Sequence, residues 1–127
     1  MLNNLKAVIF DFDGVIVESN SIKNSAFYKL AKKYHPHSKS IIDYHLSNNH
    51  LSRQLKFEFY AENIFKKENR KEIIETLNKD YTHFTLDKII NCSFVKGLHQ
   101  LLDFLKLKCD LFISSVTPIK DLTKIIE

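Results

Sequence analysis

The sequence contains few residues of the types that interrupt regular secondary structure. Only two glycines and two prolines occur in 127 residues. Because these residue types mark turns and flexible linkers, their scarcity favours helices joined by short connections. It also argues against a long flexible linker between separate domains.

The usual spacings of metal-binding cysteines and histidines are missing as well. The two cysteines, Cys92 and Cys109, lie far apart in the chain, so we expect free or buried thiols in a reducing compartment. Four histidines stand in or near the first half of the predicted helical segment: His35, His37, His45 and His50. Their spacing fits no closed zinc site, and we expect solvated or capping roles for them.

Long apolar segments and stretches of one charge sign are also missing. No apolar run approaches the roughly 20 residues that cross a membrane, and no signal peptide opens the chain. We therefore expect no membrane partner and a cytoplasmic location. Nineteen basic residues are scattered among fifteen acidic ones, for a net charge of +4. This excess favours anionic substrates, but no basic stripe predicts binding to nucleic acid.

The residues that are present have the balance of a globular protein, with 44% hydrophobic and 27% charged. A chain of this length can bury the core of one domain. Two short apolar runs, residues 7–10 and 111–113, predict strands, and the first is apolar throughout, as in a parallel sheet. Between them apolar residues recur at helical spacing. We therefore expect an α/β protein whose segment 19–92 is mostly helical.

The expected helices have recognisable ends. The first follows a cap at Asn20 or Ser21 and ends before Pro36, and its expected inner face consists of the apolar residues Ile22, Ala26, Phe27, Leu30, Ala31 and Tyr34. A short helix covers residues 41–46. The helix capped by Ser52 is expected to bury Leu55, Phe59 and either Tyr60 or Ile64. Another helix is expected over residues 71–81, and an amphipathic one carries the leucines at positions 98, 101, 102 and 105.

The last expected helix begins after the second strand. Thr117 is expected to cap it, and Pro118 to occupy its first helical position, where the missing N–H costs nothing. Its apolar residues, from Ile119 to Ile126, recur at helical spacing. The predicted order is therefore strand, helical segment, helix, strand and helix.

Two aspartates follow the first predicted strand directly. Asp11 and Asp13 are separated by one residue and followed by Gly14, which can adopt positive φ in a sharp turn. Acidic residues and glycine are also common turn formers, so this triplet alone is more often structural. However, parallel sheets bind ligands at the carboxyl ends of their strands, and the second predicted strand ends in the hydroxyls of Ser114 and Ser115.

Together these segments resemble two motifs of the haloacid dehalogenase (HAD) superfamily, in its phosphatase branch. Residues 6–19 are similar to motif one, an apolar strand followed by Asp-x-Asp-Gly-Val-Ile-x-x-Ser, and residues 110–118 are similar to motif two. Phosphoglycolate phosphatase and beta-phosphoglucomutase are proteins of this type. The resemblance implies a partial Rossmann-like core of parallel strands, residues 1–18 and 93–127, with an inserted α-helical cap, residues 19–92.

The resemblance also implies roles for individual residues. Asp11 is the nucleophile that forms an aspartyl-phosphate, Asp13 is general acid and then general base, and both bind Mg²⁺. An aspartate at position 13 favours a phosphatase or phosphomutase over the dehalogenase and ATPase branches. The phosphate-binding group is expected to contain Gly14, Ser115 and Val116. If the second strand is one residue shorter, Ser114 takes the role of Ser115.

The predicted cap contains a second group of polar residues. Residues 44–57 resemble the cap of a group of bacterial HAD proteins in which a Gly-Gly turn precedes Ser-Arg, although Asn49 and His50 occupy the glycine positions here. Arg53 can fork onto a phosphate or carboxylate, and Lys56 can add a point charge. A solvated helix face explains both cations equally well.

Two further superfamily motifs have no counterpart after the second strand: a lysine and an additional acidic metal ligand. Lys120 and Lys124 belong to the helix of motif two instead. Three explanations fit: a piece of a larger phosphatase, which we favour, a short protein completed by self-association or a second chain, or a domain without catalysis.

The leading hypothesis is a Mg²⁺-dependent phosphatase that acts on a small phosphorylated metabolite. The alternative is a phosphate- or metal-binding module without turnover, completed by another chain. A receiver-type phosphoacceptor domain fits less well, because its acceptor aspartate lies on a later strand, whereas Asp110 precedes the second strand here.

Overall fold

The computed structural model describes residues 4–66 and 68–127, which form two compact units. The first unit contains the chain up to Asn20 and again from Ile89 onward, and the second is Ser21–Lys88. The predicted core segment 1–18 begins with three residues that lie outside the described ranges. Whether the two units are a HAD core and its cap stays a prediction.

Two strands and six α-helices make up the regular structure of the described residues. In chain order they are β1 (Ala7–Asp11), α1 (Asn20–Lys33), α2 (Ser38–Ser47), α3 (Arg53–Phe59), α4 (Arg70–Ile90), α5 (Leu98–Leu105), β2 (Asp110–Ser114) and α6 (Ile119–Ile126). A π-helical segment, Tyr60–Phe65, continues directly from α3. None of the described helices is both long and apolar enough to cross a membrane.

The strands β1 and β2 pair in parallel, which confirms the predicted α/β class. Ala7 lies opposite Asp110 and Asp11 lies opposite Ser114, with no slip between these two pairs. Both strands therefore end at the same edge of the sheet. This register brings the residues that follow β1 and β2 together, as expected for a site at the carboxyl ends of parallel strands.

The second unit has an aromatic core that begins on α1. Ala26, Phe27, Leu30 and Ala31 are buried at helical spacing, which confirms the predicted inner face of this helix. They pack against residues of the later helices: Ile41, Phe57, Tyr60, Leu77 and Tyr81. The helix begins at Asn20, one or two residues earlier than the predicted caps imply.

The predicted inner face of α3 is wrong at Leu55. Ser52 caps the helix as expected, and its Oγ accepts a hydrogen bond from the Leu55 N–H at 3.3 Å. Leu55 itself is 49% exposed, whereas Phe57 is fully buried. Apolar residues occur on several sides of this segment, so periodicity does not select the buried face. Packing against Phe27 and Tyr60 selects Phe57 instead.

Helix α4 is longer than the predicted 71–81. Its buried side recurs every four residues through Leu77, Tyr81, Thr85 and Ile89. Thr85 is the polar member of this series, and its hydroxyl donates to the Tyr81 carbonyl at 2.8 Å. A buried threonine can satisfy its hydroxyl in this way inside a helix, which is why the polar residue does not end α4.

Candidate active site

The site is built on the end of β1, where side chains alternate between two sides. Asp11, the last residue of the strand, is exposed, Phe12 is only 1% exposed, and Asp13 is partly buried. Because successive residues of an extended chain point to opposite sides, the two carboxylates share one side and Phe12 anchors the other. One oxygen of Asp11, Oδ1, accepts a hydrogen bond from the Phe12 N–H at 2.7 Å.

The chain turns sharply after Asp13. The Phe12 carbonyl accepts the Ile16 N–H at 2.9 Å, and the Gly14 N–H donates to the Val17 carbonyl at 2.8 Å. Gly14 has φ +72°, and a Cβ at this position would lie 2.2 Å from Nδ2 of Asn20. The positive φ thus gives Gly14 a conformational reason to be glycine, and a Cβ would also require the Asn20 amide to move. Its expected contact with phosphate stays a prediction.

Two hydroxyl groups from distant parts of the chain hold the Asp13 carboxylate. Ser19 Oγ donates to Oδ1 of Asp13 at 2.5 Å, and Ser19 is fully buried. Thr117 Oγ1 lies 3.5 Å from the other oxygen, Oδ2. Sequence reasoning placed Ser19 at the end of motif one but gave it no role, because only the folded turn shows where its hydroxyl lies.

The expected cap of α6 is wrong. The helix begins at Ile119, and Pro118 precedes it with φ −52° and ψ 137° and no side-chain capping bond. The Pro118 carbonyl accepts from the amides of Asp121 and Leu122. Thr117 stands one residue too early to cap the helix and directs its hydroxyl toward Asp13 instead. The Thr-Pro pair therefore belongs to the site loop.

The loop after β2 carries the residues predicted to bind phosphate. Strand β2 extends through Ser114, which lies opposite Asp11, so Ser115 is the first residue beyond the sheet. Ser115 Oγ accepts a hydrogen bond from the Thr117 N–H at 3.1 Å, and Val116 is 81% exposed. The strand is therefore not one residue shorter, which was the condition under which Ser114 would replace Ser115. The binding of phosphate by Ser115 stays a prediction.

The donor set is suited to a magnesium ion only in part. Asp11 and Asp13 supply carboxylate oxygens at one edge of the sheet, and Mg²⁺ binds through one or two carboxylates, waters and substrate phosphate. Within the described ranges no group of three or more acidic, histidine or cysteine side chains is placed to hold a metal. The two aspartates fit such a partial shell.

A free cysteine lies close to this site. Burial raises the pKa of the Cys92 thiol, and the neighbouring carboxylates of Glu18 and Asp13 raise it further, against a lowering by hydrogen bonds from backbone groups. A thiol with a raised pKa stays protonated near neutral pH and is a poor nucleophile. Both cysteines are free, as expected.

The structure places the two predicted cap cations within the second unit. The Arg53 guanidinium carbon lies 4.9 Å from the ring centre of Tyr81, in a cation–π contact. Lys56 is only 3% exposed, and its Nζ lies 3.1 Å from Nδ1 of His45 and 4.8 Å from the ring centre of Phe27. These contacts give each cation a fixed position in the aromatic core.

His45 is buried rather than solvated or capping, which corrects the expectation for this histidine. Its ring stacks on Phe27, with centroids 4.0 Å apart, and it is 3% exposed. Burial, together with the charge of Lys56, lowers the pKa of His45 to about 4. Burial also lowers the pKa of Lys56. Sequence periodicity does not predict this pair, because its partners are eleven residues apart on different helices.

Comparison with known proteins agrees with the arrangement at the sheet edge. A family model described as haloacid dehalogenase-like hydrolase matches residues 8–125, which include β2, both site loops and all of β1 except Ala7. No curated protein and no solved structure gave a significant match. Since the family match covers almost the entire chain, this protein belongs to the haloacid dehalogenase-like hydrolases.

Proposed function

We propose that the protein is a Mg²⁺-dependent phosphatase or phosphomutase that acts on a small phosphorylated metabolite. The observation that supports this most is the pair Asp11 and Asp13 at the carboxyl end of β1, beside the hydroxyl-bearing loop that follows β2. A phosphatase of this kind needs a nucleophile and a proton donor close together in one site. The two aspartates supply both groups from a single turn.

In the proposed reaction, a carboxylate oxygen of Asp11 attacks phosphorus while the ester P–O bond breaks and Asp13 gives its proton to the leaving oxygen. Since Oδ1 of Asp11 accepts the Phe12 N–H, we assign the attack to Oδ2. Asp13, now ionised, takes a proton from water as that water attacks the aspartyl-phosphate. Inorganic phosphate leaves, and both aspartates return to their starting forms.

Charge repulsion is the main obstacle to this attack. One pair of like charges 4 Å apart repels by ~4 kcal/mol at an effective dielectric near 20, and a phosphate dianion doubles that. A magnesium ion would supply the compensating positive charge when held by the Asp11 carboxylate and the Asp13 backbone carbonyl. The Ser115 hydroxyl, the Val116 amide and the N-terminus of α6 add hydrogen-bond donors for the phosphate oxygens.

The two predicted cap cations differ as candidates for binding an anionic group. Arg53 is the stronger candidate for an anionic group, because its planar guanidinium is oriented by the Tyr81 ring and is only partly buried. Lys56 is the weaker candidate, since it is almost fully buried against His45. The difference in burial therefore favours Arg53 over Lys56, a choice that the sequence leaves open.

The test is Mg²⁺-dependent hydrolysis of an aryl phosphate by the purified chain. We expect Asp11→Asn and chelation of the metal each to reduce turnover to background, and Asp13→Asn to reduce it by about 100-fold or more. The matched control is Asp110→Asn, which makes the same charge change at the opposite end of the sheet and should retain the wild-type rate. Equal rates for Asp11→Asn and wild type would contradict the proposal.

A phosphate- or metal-binding module completed by another chain is the second candidate. Large apolar side chains are exposed on the first unit, among them Ile9 at 69%, Phe112 at 53% and Ile119 at 76%. Parallel sheets are normally covered on both faces, so this exposure favours a further chain or a second copy on the core. Binding of inorganic phosphate without turnover, by a chain that associates in light scattering, would favour this candidate.

A further inference from the structure

Ser19 makes the shortest side-chain contact in the site. Its hydroxyl lies 2.5 Å from Oδ1 of Asp13, and the residue is completely buried. A hydroxyl that donates to a carboxylate forms a short, charge-assisted hydrogen bond, which is stronger than one between neutral groups. Because Ser19 is buried, water does not compete for its hydroxyl.

The backbone fixes both ends of this bond. Asp13 pairs with Val17 in an isolated bridge, and Val17 pairs in turn with Phe94. The Glu18 N–H donates to the Ser93 carbonyl at 2.9 Å, and the Ser19 N–H donates to the Val17 carbonyl at 2.9 Å. Ser19 therefore reaches Asp13 from a segment held on two sides. Its side chain has a single torsion angle to adjust.

The bond distinguishes the two oxygens of Asp13. Oδ1 is directed into the buried turn toward Ser19, whereas Oδ2 is directed toward Thr117 in the loop that carries Ser115. Oδ1 is therefore held by a buried donor, and Oδ2 is the oxygen on the side of the loop that carries Ser115.

We propose that Ser19 is a positioning residue that holds Asp13 so that Oδ2 exchanges the proton with the substrate and with water. The inference rests on the proposed phosphatase function and adds the group that orients its acid. Ser19 does not touch the substrate. Its effect is greatest where proton donation limits the rate, which is the cleavage of an ester whose leaving oxygen needs the proton.

The first experiment compares two substrates, an alkyl phosphate with a poor leaving group and an activated nitrophenyl phosphate with a good one. For Ser19→Ala we expect kcat to fall at least about tenfold more on the alkyl ester than on the activated one, with KM unchanged for both. Ser19→Thr keeps the hydroxyl and should restore the alkyl rate. Ser25→Ala removes an exposed hydroxyl from α1 and serves as the matched control.

A loss of folded protein lowers both rates by the same factor, so the difference between the esters is decisive. Equal losses on the two esters would overturn the proposal. An alkyl-specific loss that Ser19→Thr restores would support it. Failure of Asp11→Asn to lower either rate is a different result, because it contradicts the proposed function itself.

A second experiment needs no activity. A double-mutant cycle combines Ser19→Ala and Asp13→Ala and measures the equilibrium constant of unfolding in urea. Each single variant is expected to raise the equilibrium constant of unfolding by some factor. If the two side chains are coupled, the factor for the double variant should be at least about tenfold smaller than the product of the two single factors. Independent effects would overturn the proposed pairing, even if the wild-type chain turned over neither ester.

Discussion

At the scale of single residues, the first unit depends on the turn between Asp13 and Ser19. Three residues in or beside the turn have defined roles: Phe12 is buried just before it, Gly14 bends it, and the Ser19 hydroxyl bonds to the Asp13 carboxylate. Several of these roles require one residue type. A change at such a position therefore has an effect that burial alone does not predict.

Gly14→Ala should destabilise the protein more than Gly97→Ala. Both glycines have positive φ, +72° and +86°, so a side chain costs about 1–2 kcal/mol of backbone strain at each. Only Gly14 adds a close contact, since its new Cβ would lie 2.2 Å from Nδ2 of Asn20, while nothing lies within 4 Å at Gly97. Urea unfolding of the two variants measures the difference.

The Gly14 prediction has an internal control. Adding Asn20→Ala to Gly14→Ala removes the opposing side chain, and the double variant should recover to about the level of Gly97→Ala. If the single Gly14 and Gly97 variants lose the same stability, the contact with Asn20 is unimportant and the prediction is wrong.

At the scale of helices, the second unit is held by polar contacts that cross from one element to another. Tyr34, just after α1, donates its hydroxyl to Asp80 of α4 at 2.6 Å, and Lys33 bonds to the same carboxylate. Helices α2 and α3 meet through the buried His45 and Lys56. Lys33 and Asp80 carry opposite charges, whereas His45 and Lys56 are two bases, so the second contact depends on whether His45 binds a proton.

The pairing of α2 with α3 should weaken as the pH falls from about 6.5 to about 4. His45 has a pKa of about 4 in the folded chain, against about 6.5 when unfolded, so in this window the unfolded state binds the proton more readily. The loss in the free energy of unfolding from this group is about 3 kcal/mol when complete. Thermal unfolding followed by circular dichroism across this pH range measures it.

Two variants isolate this effect from the titration of carboxylates. His45→Phe keeps an aromatic ring to stack on Phe27 but cannot bind a proton, so it should lose stability less steeply between pH 6.5 and 4. His50→Gln changes an exposed histidine after α2 and should follow the wild type. The prediction fails if all three proteins have the same pH dependence.

At the scale of the whole molecule, the proposed metal links the site to stability. A ligand that binds the folded chain stabilises it by about 2.7 kcal/mol at 100 times its dissociation constant. We expect Mg²⁺ to raise the thermal midpoint of the wild type by several degrees and to leave Asp11→Asn unchanged. Asp110→Asn should show the full increase. An equal increase in Asp11→Asn would place the ion elsewhere.

The local patterns of the sequence determined much of this protein. Both strands follow from short apolar runs. The mostly helical segment between them and the inner face of α1 follow from hydrophobic periodicity, because backbone geometry sets the period of a helix. The Asp11 and Asp13 pair was also predicted from the sequence, because two carboxylates directly follow the first apolar run, where a parallel sheet binds ligands. The family match over residues 8–125 agrees with that interpretation.

The tertiary structure alone decided which partner each polar or ambiguous side chain meets. Phe57 rather than Leu55 is buried because of aromatic neighbours on other helices, and Thr117 turns to Asp13, 104 residues away, instead of capping α6. The burial of His45 against Lys56 has the same origin. Sequence periodicity describes the geometry of one element at a time. Hydrogen bonds and burial depend on atoms that only folding brings within a few ångströms.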